Sequence, residues 1–249
     1  MKAFFKKLLS YLDPCYKDLH WGFLWDKRFK HIYLLIIWIL IGVGFYGVEA
    51  LDKLGLRAEY MTKIEWQPVD DWIPFCEWFL IPYIFWFAFL IGMYAYTLLF
   101  EVDVFKKMMY FTGLTYLSTV IIYFIFPNWQ DLRIDNLLEI RDNPLTRYMV
   151  DYWAMDTNTN VFPSLHVIGS FCVQTAAWNS KRFCGAAWRI AFTSMALLIS
   201  VSTVFLKQHS ILDLFGGLLL CAAAYIPVYY LPNRRADKLR RAQAYRQAA

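Results

Sequence analysis

The chain has 249 residues, of which 59% are hydrophobic and 20% aromatic, and its mean hydropathy is +0.36. This composition is too apolar for an ordinary soluble domain and is typical of a compact polytopic membrane protein. Membrane topology explains the formal net charge of +5, so nucleic-acid binding is the least favoured function.

The elements in chain order predict an all-α membrane protein. Residues 1–30 mix basic and aromatic side chains, as in a segment that lies in the membrane interface, with a disordered tail as the alternative for the first ten residues. Six apolar runs follow, each close to the roughly 20 residues that a transmembrane helix needs. They cover residues 31–51, 74–100, 109–127, 163–180, 189–206 and 211–231. We therefore predict a six-transmembrane-helix bundle at 31–231 and a basic tail at 232–249.

The basic side chains predict the orientation of this bundle. The N-terminal segment, the 101–108 and 179–189 connections and the tail together hold 18 of the 25 Lys and Arg residues. The positive-inside rule then places both termini in the cytoplasm and the 49–73, 128–160 and 205–210 connections outside. Within 128–160, apolar side chains recur at helical spacing, which predicts a short amphipathic helix. A lid and a packed surface helix both remain open for it.

Two histidines lie where polar loops give way to apolar runs. They are His166, and His209 with Asp213 four residues later. In the six-span topology both runs start on the outer side, so we expect the two histidines at one membrane surface. Residues four apart share a helix face, and a carboxylate on an imidazole fixes its tautomer and stabilises its cation. His209 is then a candidate nucleophile oriented by Asp213; a structural His–Asp pair is the alternative.

Further polar residues lie near the same surface. His166 can protonate a leaving group and then activate water. Ser164 is placed at a helix start, where an anion is favoured. Arg133 and Lys207 can neutralise phosphate oxygens, although lysine and arginine side chains that only reach the headgroups give the same pattern.

Phe162-Pro163-Ser164-Leu165-His166-Val167, followed by Ser202-Thr203, His209 and Asp213, resembles the motifs of the type 2 phosphatidic acid phosphatase superfamily. The second motif of that family is matched at Pro163, Ser164 and His166, and the third at Ser202, His209 and Asp213. Thr203 stands where the family often has arginine. The first motif is matched poorly: Arg133 is the nearest equivalent, with Ile134 in place of proline and Phe126 in place of lysine.

The resemblance implies metal-independent phosphoryl chemistry through a phosphohistidine, with no cofactor. It makes His209 the nucleophile, Asp213 its partner and His166 the general acid. Arg133, Ser164 and Lys207 would form the phosphate pocket. The departures in the first and third motifs resemble the sphingomyelin and inositol-phosphoceramide synthases, a branch that keeps the His/His/Asp set without the full basic clamp.

We therefore predict a lipid phosphate phosphatase with its site on the extracytoplasmic side, in the cell membrane. Its expected partners are the bilayer and a phospholipid or other lipid phosphate, and its oligomeric state stays open. A lipid headgroup phosphotransferase is the first alternative. A non-enzymatic transporter or scaffold, and a metal site built from two histidines and a carboxylate, are the others.

Overall fold

A computed structural model describes residues 11–16 and 22–235 of the chain. Residues 1–10 and 17–21 of the predicted interfacial segment, and residues 236–249 of the predicted basic tail, lie outside the described residues. The described part of the N-terminal segment forms 3-10 turns at Pro14–Tyr16, Phe23–Trp25 and Lys27–Leu35, and the last of these runs directly into the first long helix.

The described chain is mostly α-helical. The helices are α1 (Ile36–Lys53), α2 (Gln67–Trp72), α3 (Leu80–Phe100), α4 (Val102–Ile125), α5 (Leu137–Ile140), α6 (Pro144–Met155), α7 (Leu165–Asn179), α8 (Ala186–Phe205) and α9 (Ile211–Tyr225). A π-helical turn, Ile226–Tyr230, continues α9. Two short strands, β1 (Thr62–Lys63) and β2 (Asn128–Trp129), pair in parallel. The helix α6 confirms the short helix predicted within 128–160.

Within the described residues, five helical segments are long and apolar enough to cross a membrane. They are Lys27–Lys53, Glu77–Phe100, Val102–Ile125, Ala186–Phe205 and Ile211–Arg235. They confirm a helical, multi-pass type of fold. The fourth apolar run forms α7, whose 15 residues span about 22 Å at 1.5 Å per residue, less than the roughly 30 Å of a bilayer core. Six spans and cytoplasmic termini are therefore not confirmed.

The short helix α7 lies at the centre of the bundle. Ten of its 15 residues are buried, and it packs against α3, α4, α8 and α9. A Cβ at Gly169 would lie 2.5 Å from the Tyr116 hydroxyl and 2.8 Å from Trp86 Nε1, so only glycine allows these neighbours to approach. The polar side chains of α7, such as Ser170 and Gln174, are thus enclosed by protein rather than by lipid.

The helices α7 and α9 begin at the same end of the bundle, called here the upper end and defined by their N-cap residues Ser164 and Ser210. Two hydrogen bonds hold this end together. The Ser164 N–H donates to the Asp213 carbonyl at 3.1 Å, and the Tyr123 hydroxyl at the end of α4 donates to the Pro163 carbonyl at 2.8 Å. The starts of α7 and α9, which are 46 positions apart in the sequence, are therefore directly joined.

Candidate active site

The N-terminus of α9 positions His209 and Asp213. Ser210 caps the helix, because its hydroxyl accepts from the Leu212 N–H at 3.1 Å. Its own N–H donates to Asp213 Oδ2 at 3.0 Å, and the same oxygen lies 3.1 Å from His209 Nδ1. A carboxylate in the first turn is also stabilised by the helix dipole. Asp213, which is fully buried, thus caps the helix and orients the His209 ring, leaving Nε2 of that ring directed away from the pair.

The rings of His166 and His209 lie close together. Their centroids are 6.0 Å apart and their planes meet at 65°. His166 is held by two aromatic side chains from α3: it stacks on Tyr83 at 4.4 Å and lies 4.5 Å from the Trp86 ring. Its Nε2 is buried and has no hydrogen-bond partner among the described residues. A buried polar atom without a hydrogen-bond partner costs free energy, so His166 Nε2 is suited to form a hydrogen bond with a ligand.

Both histidines line one small cavity at the upper end. Its volume is about 80 Å³. The remaining lining residues come from α1, the end of α4, the 156–161 connection, the start of α7 and the turn before α9: Phe45, Glu49, Tyr123, Asp156, Thr157, Thr159, Asn160, Val161, Leu165 and Gln208. The described lining contains two carboxylates and no lysine or arginine.

Arg133 lies behind the wall of this cavity. Its guanidinium donates to the backbone carbonyls of Trp153 and Asp156, both at 2.8 Å, and of Thr157 at 2.9 Å. Burial lowers the pKa of this guanidinium below its ordinary value. Basic side chains commonly satisfy the free carbonyls at a helix C-terminus. Arg133 fastens the end of α6 in this way, and its place in a phosphate pocket stays a prediction.

Lys207 and Ser164 are also placed apart from the cavity lining. The Lys207 ammonium donates to the Asp70 carbonyl in α2 at 2.6 Å, and burial lowers its pKa. The Ser164 hydroxyl is buried without a partner in the described chain. The structure therefore brings together His166, His209 and Asp213, with Ser164 joined to Asp213 through the backbone. Phosphate binding by Ser164 and Lys207 stays a prediction.

Thr203, at the position where the family often has arginine, supports the turn that carries His209. Its carbonyl accepts from the Gln208 N–H at 3.0 Å and from the His209 N–H at 3.2 Å. Its hydroxyl donates back to the Ser200 carbonyl within α8. The side chain is fully buried, so this position shapes the backbone before α9.

The segment around β2 holds the loops before α7 and α9, which no sequence motif indicated. The Asn128 side chain accepts from the N–H groups of Val161 and Phe162 at 2.9 and 2.8 Å. Two residues later, the Gln130 amide donates to the carbonyls of Lys207 and Gln208 at 3.1 and 3.4 Å. One short stretch thus sets the spacing between the His166 and His209 loops.

Asp70 in α2 anchors the start of α9 from outside the motif region. Its carboxylate accepts from the Ser210 hydroxyl at 2.6 Å, from the Ile211 N–H at 2.8 Å and from the Trp66 N–H at 2.7 Å. The residue is buried, with 2% of its surface exposed. Asp70 therefore satisfies groups at the starts of α2 and α9 at once, and nothing in its sequence neighbourhood signals this.

We expect Asp70→Ala to lower both stability and activity. The change leaves buried donors at Ser210 and Ile211 unsatisfied, which costs about 2 kcal/mol or more in the free energy of unfolding. Thermal unfolding in detergent, together with turnover, measures the effect. The neighbouring Asp71→Ala, at an exposed position, is the matched control and should resemble the wild type. An Asp70→Ala protein as stable as the Asp71→Ala protein would contradict the anchoring role.

Within residues 11–16 and 22–235, no group of three or more His, Cys, Asp or Glu side chains is arranged to hold a metal ion.

Comparison with known proteins gives one family. No curated protein and no solved structure gives a significant match. The family model described as the PAP2 superfamily matches residues 138–237. This range contains α6 to α9 and with them Ser164, His166, His209 and Asp213, whereas Arg133 precedes it. This segment, which supplies both adjacent histidines and their carboxylate, is thus similar to the PAP2 superfamily.

Proposed function

We propose that the protein is an integral-membrane lipid phosphate phosphatase that acts through a phosphohistidine at His209. The match of residues 138–237 to the PAP2 superfamily supports a phosphatase or phosphotransferase type of function. The observation that carries the finer proposal is the pair of rings 6.0 Å apart at one cavity, with Asp213 on Nδ1 of His209.

The first step of the proposed reaction transfers the phosphoryl group to the enzyme. Nε2 of His209 attacks phosphorus, and the bond between phosphorus and the lipid oxygen breaks. His166 gives its proton to that oxygen, so the lipid leaves as an alcohol. The Asp213 carboxylate stabilises the positive charge on the His209 ring, because it is buried and in contact with the other ring nitrogen.

The second step returns the enzyme to its starting state. His166 takes a proton from water, the water oxygen attacks phosphorus, and the N–P bond breaks to release phosphate. Each proton transfer is assigned to a side chain of the chain itself, and we propose metal-independent chemistry. We also propose that the upper end is the extracytoplasmic one, in the cell membrane, because the basic residues concentrate in the opposite connections.

A headgroup phosphotransferase is the second candidate. In that reaction the hydroxyl of an alcohol, rather than water, attacks the phosphohistidine. The observation that favours it is the lining of the cavity, which in the described residues has no basic clamp for a free phosphate dianion. Transfer of a labelled headgroup to an acceptor lipid, with little inorganic phosphate released, would identify the transferase.

Trapping the intermediate in a His166→Asn variant tests the proposal. A lipid-like aryl phosphate has a good leaving group and needs no general acid, so the first step should proceed. The second step lacks its general base, so labelled phosphate should accumulate on the protein. We expect the label to be lost in acid, to survive alkali and to map to His209.

The His166→Asn/His209→Gln double variant is the control for this trapping experiment. It keeps the cavity but lacks the proposed nucleophile, so it should take up no label. Label that persists in the double variant, or that maps to another residue, would contradict the phosphohistidine at His209.

A further inference from the structure

Two carboxylates line the cavity beside the histidines. Glu49 lies in the last turns of α1, and Asp156 directly follows α6. The Glu49 carboxylate accepts from the Thr157 hydroxyl at 3.2 Å and from the Asn160 amide at 3.1 Å. Asp156 Oδ2 accepts from the Gln208 amide at 3.1 Å. Both carboxylates accept hydrogen bonds from neutral donors only, so no ion pair of the described chain joins either of them to a lysine or arginine.

Two arginines near the cavity direct their N–H donors at groups other than the carboxylates of Glu49 and Asp156. Arg57 bonds Asp52 at 2.5 Å and donates to the Tyr123 carbonyl at 2.6 Å. Arg133 directs its donors at three backbone carbonyls. Burial raises the pKa of the Asp156 carboxyl above its ordinary value; the charges of Arg133 and His209 oppose this shift, and the charge of Glu49 adds to it. Asp156 therefore shares one electrostatic environment with Glu49, Arg133 and His209.

This charge pattern disfavours a substrate that is purely anionic. A phosphoryl group near His209 would meet two carboxylates in a cavity of about 80 Å³, where low dielectric strengthens repulsion between like charges. A cation between the carboxylates removes that repulsion. The cavity also presents the buried, unpartnered Nε2 of His166, so its polar groups comprise acceptors for a cation and nitrogens that act on phosphorus.

We propose that Glu49 and Asp156 bind a primary ammonium group of the substrate that lies a few bonds from the phosphorus attacked by His209. The inference rests on the phosphohistidine step proposed above. The separation must be short because one small cavity holds both sets of groups. An ammonium with three N–H donors suits carboxylate and threonine acceptors, whereas a quaternary ammonium donates no hydrogen bond and is bound by aromatic cages.

Two kinds of lipid contain an ammonium group a few bonds from phosphorus, that is, an aminoalkyl phosphate unit. One is the ethanolamine headgroup of a phosphodiester lipid, and the other is the phosphate monoester of a long-chain amino alcohol. In both, the His209 Nε2–P bond forms and the P–O bond to the lipid breaks, with the proton from His166 going to the lipid oxygen. The diester leaves aminoethyl phosphate on His209, and the monoester leaves phosphate. Attack by water or by an alcohol, which gives its proton to His166, then frees the histidine.

Matched substrates test the inference with the full-length protein in detergent micelles. Each amine-bearing lipid is paired with its N-acylated form, which has the same phosphorus but no cation: phosphatidylethanolamine with N-acyl-phosphatidylethanolamine, and sphingosine 1-phosphate with ceramide 1-phosphate. Formation of the alcohol product gives kcat/KM. Loss of a charge-assisted hydrogen bond predicts a preference of ~10-fold or more for one of the free amines over its N-acylated partner.

Variants assign this preference to the two carboxylates. Glu49→Gln and Asp156→Asn keep side-chain shape and should each reduce kcat/KM for the preferred amine ~10-fold more than kcat/KM for its N-acylated partner. Glu139→Gln, at an exposed position in α5 outside the cavity lining, is the control and should preserve the preference. Whichever of the two lipid pairs is turned over shows which kind of lipid supplies the ammonium group.

Failure of the inference is distinguishable from failure of the proposed function. Turnover with equal kcat/KM for amine and N-acyl forms, or a phosphatidate substrate turned over better than either amine, would overturn the ammonium site and leave the phosphohistidine intact. An equal decrease in kcat/KM for the amine lipid and for its N-acylated partner in the Glu49→Gln and Asp156→Asn variants would also overturn the ammonium site. No turnover of any of these lipids, together with no labelling in the trapping experiment, would overturn both.

Discussion

His209→Ala is expected to reduce turnover by about 10⁴-fold or more, because the variant lacks the nucleophile and the cavity offers no replacement. The only other imidazole in the described lining belongs to His166, which packs on Tyr83 and Trp86 and has no carboxylate on its ring. The fold should persist, because the backbone contact from residue 209 to the Thr203 carbonyl does not need the side chain.

The measurement is release of phosphate, or transfer of a headgroup, by purified protein, with thermal unfolding recorded in parallel. His31→Gln is the control histidine. His31 contacts the Tyr16 hydroxyl at 2.7 Å, and Tyr16 also donates to the Leu98 carbonyl near the end of α3, at the opposite end of the bundle. This control should retain turnover. A His209→Ala protein with turnover near that of the wild type would remove the enzymatic proposal and favour a scaffold or transporter.

Asp213→Asn is expected to reduce kcat by up to about 10⁴-fold while changing stability little. The amide oxygen can still accept from the Ser210 N–H, so the cap of α9 survives. The amide has no negative charge to stabilise the cation that forms on His209 during attack, and its NH₂ group can favour the wrong ring tautomer. The rate loss should therefore far exceed what the change in unfolding temperature explains.

Asp103→Asn provides a matched control for this variant. Asp103 is also in the first turn of a helix, α4, but its side chain is 94% exposed and contacts only Lys106 among the salt bridges of the described chain. It tests the effect of removing a helix-start carboxylate without touching the site. An Asp213→Asn protein as active as Asp103→Asn would show that orientation of His209 by Asp213 is not needed for the reaction.

Short-range patterns in the sequence predicted the parts of the site that depend on short-range geometry. Four-residue spacing placed His209 and Asp213 on one helix face, and the structure joins them at 3.1 Å. Apolar periodicity predicted the helices and the amphipathic segment that became α6. These features follow from hydrogen bonding and burial within about one or two helical turns, which one stretch of chain determines by itself.

The predicted membrane topology indicated one contact between distant parts of the sequence. Placing both runs on one surface predicted that His166 and His209 would meet, although their helices are separated by the whole of α8. The distance of 6.0 Å between the ring centroids depends on hydrogen bonds that no sequence pattern indicates. Asn128 and Gln130 bind the loops before α7 and α9, and Asp70 binds Ser210 at the start of α9. Each of these hydrogen bonds joins residues more than thirty positions apart, so a local sequence pattern cannot predict it.

Residue types and their spacing were enough to predict a helical membrane-type protein with a His–Asp pair and a second histidine at a helix start. The folded chain was needed to show that α7 is a short, enclosed helix, that Arg133 and Lys207 bind backbone carbonyls, and that Glu49 and Asp156 line the cavity. This division arises because the type of a side chain sets what it can bind, whereas the packing of distant elements around it sets which partner it meets.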